Sequence, residues 1–190
     1  MPPHIVQTAR LTLRPLGEQD RDEFIRVFTI SRDHFAPWSA TGEAGRDPGA
    51  IFDEQLQRAA AECASGAGFR RAGFLLEGGA LAGLFAFGQI FRGPFRSCYA
   101  GWRISADCLG RGLCTEAMAK MLDIAFAPEP EGLGLHRVQA NIIPENIASL
   151  RVAEKLGMRR EGLALRYLHI GGAWRDHIMF ARTAEEHGAQ

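Results

Sequence analysis

Hydrophobic and polar residues alternate near the start of the chain, and this pattern predicts a strand through Leu11 and Leu13. Over residues 18–29 the apolar side chains recur at helical spacing, which predicts a first helix. A second helix is predicted over residues 47–66, because an aspartate followed by proline is typical of a helix start and a glycine closes the apolar stripe. We therefore expect one strand followed by two helices before residue 67.

The next segment carries a hairpin signal. Strands are predicted over residues 69–77 and 81–91, and the pair Gly78-Gly79 between them favours a tight turn. The remaining predicted elements are a strand over 98–105, a helix over 115–127, a strand over 136–143, a helix over 146–156 and a strand pair around Gly171-Gly172.

This order of elements combines hairpins with two strand–helix–strand crossovers, so we expect an α+β fold built on a mixed sheet. The chain has 190 residues, of which 46% are hydrophobic, and this is enough for one well-buried core. Because no repeat or linker interrupts it, we expect a single domain over residues 1–190 with its core at about residues 9–182.

Charge and composition exclude several classes of function. Lysine plus arginine and aspartate plus glutamate each number 22, without a basic stripe, so we expect no nucleic-acid partner. No apolar run approaches the length of a membrane span and the N-terminus does not resemble a signal peptide, so a cytoplasmic protein without a membrane partner is expected. Four cysteines form no C-x-x-C pair and six histidines show no ligand spacing, which predicts reduced thiols and no metal.

A glycine-rich segment, residues 109–117, lies between a predicted strand and a predicted helix. The first amides of a helix have no internal partners and bind phosphates, and Gly110 and Gly112 would let the backbone approach such an anion closely. The segment is not a P-loop, because no Lys-Ser/Thr follows, and Thr115 stands where a dinucleotide fingerprint needs its third glycine. An ordinary tight turn is the alternative interpretation.

Motifs further along carry more specific information. Residues 135–138 are L-H-R-V, residues 144–149 are P-E-N-I-A-S, and residues 154–158 are E-K-L-G-M, with Tyr167 and the W-R-D-H run at 174–177 beyond them. With these motifs the chain resembles the GNAT superfamily of acetyl-CoA-dependent N-acetyltransferases, in its ribosomal-protein (RimJ/RimL-type) branch, from about residue 11 to residue 182.

The resemblance implies the GNAT fold, a mostly antiparallel twisted sheet with a splayed parallel strand pair, and acetyl-CoA as cosubstrate held between those strands. The family's phosphate loop, Q/R-x-x-G-x-G/A, corresponds here to Leu109, Gly112 and Cys114, of which the first and last depart from the pattern. The residues that it implies for coenzyme binding are Ile104, Ser105, Leu109, Gly110, Arg111, Gly112, Leu113, Cys114, Thr115, Asn141, Asn146 and Ser149.

Catalytic roles are also implied by the resemblance. The backbone N–H of Ile104 would polarise the thioester oxygen, and Asn146 would bind the pantetheine arm, although a helix N-cap is the alternative role for this asparagine. Much of the superfamily has a tyrosine acid where this chain has Ala153. Ser149 is the replacement, and we expect its hydroxyl to hydrogen-bond the leaving thiolate.

The general base is the least defined assignment. Glu116, in the first turn of the phosphate-loop helix, is one candidate, although the helix dipole favours a carboxylate there regardless of chemistry. The alternatives are Glu145, His136, Asp176 and His177. An α-amine has a pKa near 8 and a lysine side chain near 10.4, so an enzyme without a strong base favours α-amines.

The acceptor side rests on the resemblance alone. His34 and Trp38 belong to a segment, residues 34–38, that matches one lining the acceptor cleft. The alternative of equal weight is that Phe35 and Trp38 pack the first helix against the sheet. Tyr167, Trp174 and Asp176 are expected near the same cleft. We therefore expect an N-acetyltransferase for a protein N-terminus such as that of a ribosomal protein, with a small-amine acetyltransferase and a weakly catalytic acyl-CoA-binding module as alternatives. A homodimer is the assembly to be tested.

Overall fold

The computed structural model describes residues 2–39 and 45–188. The strands are β1 (Val6–Gln7), β2 (Leu11–Arg14), β3 (Gly68–Leu75), β4 (Leu81–Phe91), β5 (Ser97–Ile104), β6 (Arg137–Ile142), β7 (Arg159–Ile170) and β8 (Ala173–Thr183). The α-helices are α1 (Arg21–Ile30), α2 (Arg32–Phe35), α3 (Pro48–Ser65), α4 (Leu113–Phe126), α5 (Ile147–Lys155) and α6 (Ala184–Gly188). Short 3₁₀ helices cover Glu18–Asp20, Ala36–Trp38 and Ala106–Cys108.

The strands form one sheet in the order β1-β2-β3-β4-β5-β6-β8-β7. Neighbouring strands are antiparallel except β5 and β6, which are parallel and are connected through α4. The expected mixed sheet with flanking helices is therefore confirmed. None of the helices in the part of the chain that the structure describes has the length and apolar composition that a membrane crossing requires.

Local sequence signals explain both ends of α3 and the start of α4. The Asp47 carboxylate accepts a hydrogen bond from the Ala50 amide at 2.9 Å, and Gly66 ends α3 in the left-handed conformation with φ +68°. Helix α4 begins at Leu113, two residues before the predicted start, because Gly112 (φ +76°) already takes the N-cap position. The sequence prediction missed β1, α2 and α6, which are too short to show a periodic pattern.

Aromatic side chains hold the helices of the first third of the chain on the sheet. Phe24 stacks on Phe28 with ring centroids 4.1 Å apart, and its edge meets Phe52 of α3 at 5.2 Å. Phe28 in turn contacts Phe35 of α2 at 5.3 Å. Full burial of one such side chain stabilises the fold by about 1.5–3 kcal/mol. This cluster fixes α2 and the following 3₁₀ turn, which carries Trp38, against the sheet.

The parallel strands β5 and β6 separate part-way along their length. They pair at Ser97↔Arg137, Cys98↔Val138 and Tyr99↔Gln139, and no pairing between them follows in the described residues. Beyond Tyr99, β5 stays paired with β4 on its other side, as far as Ile104. The second half of β5 therefore has one edge of its backbone without a strand partner, and this opening carries the candidate site.

Candidate active site

The direction of the backbone amides along β5 follows from its pairing with β4. The Ser105 amide donates to the Ala82 carbonyl at 2.9 Å, and the register places Ile104 opposite Gly83. In an antiparallel pair every second residue exchanges hydrogen bonds with its partner strand and the intervening residues point away. The amides of Ile104 and Trp102 therefore face the opening between β5 and β6, where they are available to a ligand.

Two cavities meet at this opening. The loop cavity, about 400 Å³, is bounded by the glycine-rich segment, the start of α4 and one side of α5. The sheet cavity, about 380 Å³, extends from the same point over β3, β4 and β5 toward α3. The residues that line both cavities are Trp38, Trp102, Arg103, Asn146 and Ser149. These five residues therefore form a shared wall where the two cavities meet.

The glycine-rich segment has the geometry of an anion site. Gly110 and Gly112 have φ of +72° and +76°, a backbone conformation that residues with a side chain rarely adopt. The first helical hydrogen bond of α4 runs from the Glu116 amide to the Gly112 carbonyl at 3.1 Å. The three amides before it, of residues 113–115, thus have no helical partner and face the N-terminal end of the helix dipole.

Most residues that the sequence predicted for this cavity are brought together there. Leu109, Gly110, Gly112, Leu113, Cys114, Thr115 and Ile104 line the loop cavity. Arg111 and Ser105 do not. The Arg111 carbonyl accepts from Arg10 at 2.9 Å, and Ser105 is fully buried with its hydroxyl on Asp107 at 2.5 Å.

Cys114 is partly buried in the wall of the loop cavity, and desolvation raises the pKa of its thiol to about 12. A thiol with so high a pKa is not a nucleophile at neutral pH, so Cys114 acts as a packing residue at the start of α4. All four cysteines are free thiols.

Glu116 faces the N-terminal segment of the chain. Its carboxylate accepts hydrogen bonds from the Thr8 hydroxyl at 2.6 Å and the Arg10 amide at 2.8 Å, and it forms an ion pair with the Arg10 guanidinium at 2.6 Å. Hydrogen bonds from Thr8 and Arg10 hold its pKa below the usual range, against the opposing effect of burial. These contacts tie α4 to the segment before β2, and they give Glu116 a structural role away from both cavities.

Asn146 and Ser149 lie where α5 begins. The Asn146 side-chain oxygen accepts from the Ser149 amide at 3.1 Å, which is the N-cap role, while the residue still lines both cavities. The Ser149 hydroxyl accepts a hydrogen bond from the indole nitrogen of Trp102 at 3.2 Å. Because that bond occupies the oxygen as an acceptor, the Ser149 proton is left to point at a further group in the opening.

Of the five candidate bases, His177 alone lines either of the two cavities described above. It is buried in the wall of the sheet cavity, with Nδ1 at 3.0 Å from the Arg175 carbonyl. Burial lowers its pKa, so the ring is neutral at pH 7. The other candidates have partners elsewhere: Glu145 with Arg175, His136 with Glu185, and Asp176 with the Arg166 amide.

The residues predicted for acceptor binding are only partly brought together. Trp38 lines both cavities, whereas His34 lines the loop cavity alone. Tyr167 lies further out, where its hydroxyl accepts from Asn141 at 3.3 Å, and Asn141 itself lines the sheet cavity and not the loop cavity. Trp174 is 62% exposed, its ring contacts that of His169, and it lies outside both cavities, as does Asp176.

Trp102 is one residue of this site that sequence reasoning missed. It precedes Ile104 by two residues, so the two side chains project from the same face of β5. That spacing was the available signal, but nothing local indicates that an indole reaches a serine 47 residues away.

No group of three or more histidine, cysteine, aspartate and glutamate side chains suited to a metal ion occurs in residues 2–39 and 45–188.

Comparison with known proteins identifies relatives of the whole chain. A family model described as an acetyltransferase (GNAT) domain matches residues 10–159. The chain is 30% identical over 176 residues to the probable N-acetyltransferase YjcK of Bacillus subtilis (strain 168), an alignment that covers 89% of this chain and 91% of that protein. It is 27% identical over 179 residues to the ribosomal protein uS5-alanine N-acetyltransferase of Escherichia coli (strain K12), covering 94% and 90% respectively.

A solved structure has the same architecture. Mycobacterium smegmatis RimJ, determined in complex with CoA-disulfide, superimposes with a TM-score of 0.87 at 30% identity, over 97% of this chain and 89% of that one.

Proposed function

The chain belongs to the GNAT family of N-acetyltransferases, and on that basis we propose that it transfers the acetyl group of acetyl-CoA to the N-terminal α-amine of a protein. The observation that carries the proposal is the pair of cavities that meet at Ser149 and Trp102. One cavity has the features of a phosphate and pantetheine site, and the other is open to an amine from the opposite side.

The loop cavity fits acetyl-CoA by its chemistry. The unpaired amides at the start of α4 and the two glycines with positive φ suit a pyrophosphate. The unpaired edge of β5 suits the amide groups of a pantetheine arm, because each can add hydrogen bonds to that edge. When bound, the thioester supplies an activated acetyl group.

The chain's own residues then perform three tasks. The Ile104 amide, which faces the opening, donates to the oxygen on which negative charge develops. Asn146 caps α5 and positions Ser149, and the Ser149 hydroxyl donates to the sulfur as it leaves. The Trp102 indole holds that hydroxyl as an acceptor, so its proton is directed at the sulfur rather than at the sheet.

The incoming amine must reach the site without its proton. His177 is neutral and lines the sheet cavity, so we assign it the role of proton acceptor, through a water where the distance requires one. A base with a lowered pKa is a weak proton acceptor. It therefore suits an α-amine, which loses its proton near pH 8, better than a lysine side chain, which loses its proton near pH 10.4. The relative named for acetylating the alanine of ribosomal protein uS5 supports the same class of acceptor.

An acetyl-CoA consumption assay over three acceptor sets tests this function. The sets are peptides with a free N-terminus, the same peptides with a blocked N-terminus and one lysine, and small amines such as spermidine. We expect turnover with the first set alone, and its rate should rise with pH and level off at about pH 8. Faster turnover with blocked lysine peptides or with spermidine would reject the α-amine assignment.

A further inference from the structure

Arginine side chains line the sheet cavity on the side away from α5. Arg58 projects from α3, and Arg70 comes from the face of β3 that is turned toward α3. Among the described residues, no aspartate or glutamate lines this cavity. A cleft with low-dielectric walls and charges of one sign concentrates ligands of the opposite sign.

The nearby carboxylate does not balance these charges. Glu62 accepts from Arg58 Nε at 2.7 Å and from Arg70 Nε and Nη2 at 2.6 and 3.0 Å. One negative charge thus serves two guanidinium groups. The terminal nitrogens of Arg58 have no partner in the described residues, and Arg70 Nη1 has only a 3.5 Å contact with Gln55.

Arg71 follows Arg70 in β3, so its side chain projects from the opposite face of the sheet. Its side chain is 8% exposed, and its terminal nitrogens donate to the carbonyls of Arg70 and Pro3 at 2.7 and 2.9 Å. Burial lowers its pKa to about 10, which leaves it charged at neutral pH. Its guanidinium stacks on the Phe69 ring at 3.8 Å on that face, so the charges that the cavity presents to an acceptor are those of Arg58 and Arg70.

The position of Arg58 and Arg70 defines which part of an acceptor they meet. Both also line an outer cavity of about 330 Å³, together with Tyr99, Asn141 and Tyr167. The sheet cavity runs from Ser149 and Trp102 at its inner end to these arginines. An amine that reacts at the inner end therefore places the next groups of its molecule beside the arginines.

We propose that the sheet cavity selects acceptors with a carboxylate close to the reacting amine, namely protein N-termini with acidic residues directly after the first residue. The inference rests on the proposed function and names its substrate class. Acidic side chains of the acceptor would form ion pairs with Arg58 and Arg70. Basic residues or a polyamine would be repelled by the same arginines, and among the described residues no carboxylate lines the cavity to pair with them.

The test uses three peptides that begin with alanine and carry Glu-Glu, Gln-Gln or Lys-Lys at positions two and three. We expect kcat/KM to fall in that order by about fivefold per step, which is about 1 kcal/mol for partly exposed charge pairs. The spread should shrink as salt rises, because these charges are accessible to solvent.

Variants separate the arginines from the rest of the site. Arg58→Gln should reduce the preference, and Arg58→Glu should bring the Lys-Lys peptide level with or above the Glu-Glu peptide. The Arg58 side chain is 59% exposed, so both variants should fold. Arg92→Gln is the matched control: Arg92 also pairs with a glutamate, Glu129, at 2.8 Å and is similarly exposed, but it lines none of these cavities.

The outcomes distinguish this inference from the function on which it rests. Equal kcat/KM for the three peptides, or the same preference in Arg58→Glu as in the native chain, would overturn the acidic-acceptor inference and leave N-terminal acetylation standing. Failure to acetylate any peptide would reject the proposed function instead. The charge preference is then decided with glutamate and spermidine as acceptors: faster turnover of glutamate supports it and faster turnover of spermidine overturns it.

Discussion

Replacing Trp102 with phenylalanine tests how the site directs the Ser149 proton. The change removes the indole N–H that donates to Ser149 Oγ at 3.2 Å and keeps an aromatic ring in the wall between the cavities. A neutral hydrogen bond contributes about 0.5–1.5 kcal/mol, and this one lies at the long end of the usual distance range, so about 1 kcal/mol is expected. That loss corresponds to about a fivefold fall in kcat.

Ser149→Ala sets the scale for comparison. A hydrogen bond to a charged group is worth about 1.5–3 kcal/mol, so removing the hydroxyl should lower kcat by about 10- to 150-fold. Because Trp102 acts through Ser149, the double variant should be no slower than Ser149→Ala alone. The double-mutant cycle should thus give a coupling energy of about 1 kcal/mol, measured from steady-state kcat with a peptide acceptor.

Trp38→Phe is the control for the loss of ring volume. Trp38 lines both cavities as Trp102 does, but Ser149 accepts its indole hydrogen bond from Trp102. A cycle of Trp38→Phe with Ser149→Ala should therefore be additive. If Trp102→Phe and Ser149→Ala were additive as well, within about 0.3 kcal/mol, the indole would have no role in directing the serine and the reasoning would be wrong.

Three further predictions follow from the same site. Gly112→Val should weaken CoA binding in calorimetry, because φ +76° disfavours a β-branched residue and the turn would shift. Gly79→Val, at φ +69° in the β3–β4 hairpin, is the control, because it carries the same strain away from the site and should bind CoA normally. Burial lowers the pKa of His177 in the folded state, so the native chain should lose free energy of unfolding as pH falls below about 6.5, where the unfolded chain binds the proton more readily. The His177→Gln variant lacks this group, so in urea unfolding it should lose less stability than the native chain over the same pH range. EDTA should leave turnover unchanged, and activity restored by one specific divalent ion would contradict this.

The sequence determined those features that depend on neighbours along the chain. The Asp47 cap of α3, the Gly78-Gly79 hairpin and the turn before α4 were all predictable, because each needs only a few adjacent residues with definite backbone preferences. The same local signals, together with the motifs, indicated the GNAT fold and the family, since the order of elements and the spacing of the motifs can be read directly along the sequence.

The tertiary structure decided which side chains meet. Glu116 bonds to Thr8 and Arg10 more than 100 residues earlier, and the tryptophan that donates to Ser149 of α5 comes from strand β5. Trp174 belongs to the same motif as His177 yet lies outside the cleft, because residues three apart on β8 face opposite sides of the sheet. Such contacts depend on the twist of the sheet and on where β5 and β6 part, and these are set by the packing of the whole core rather than by any segment of the sequence.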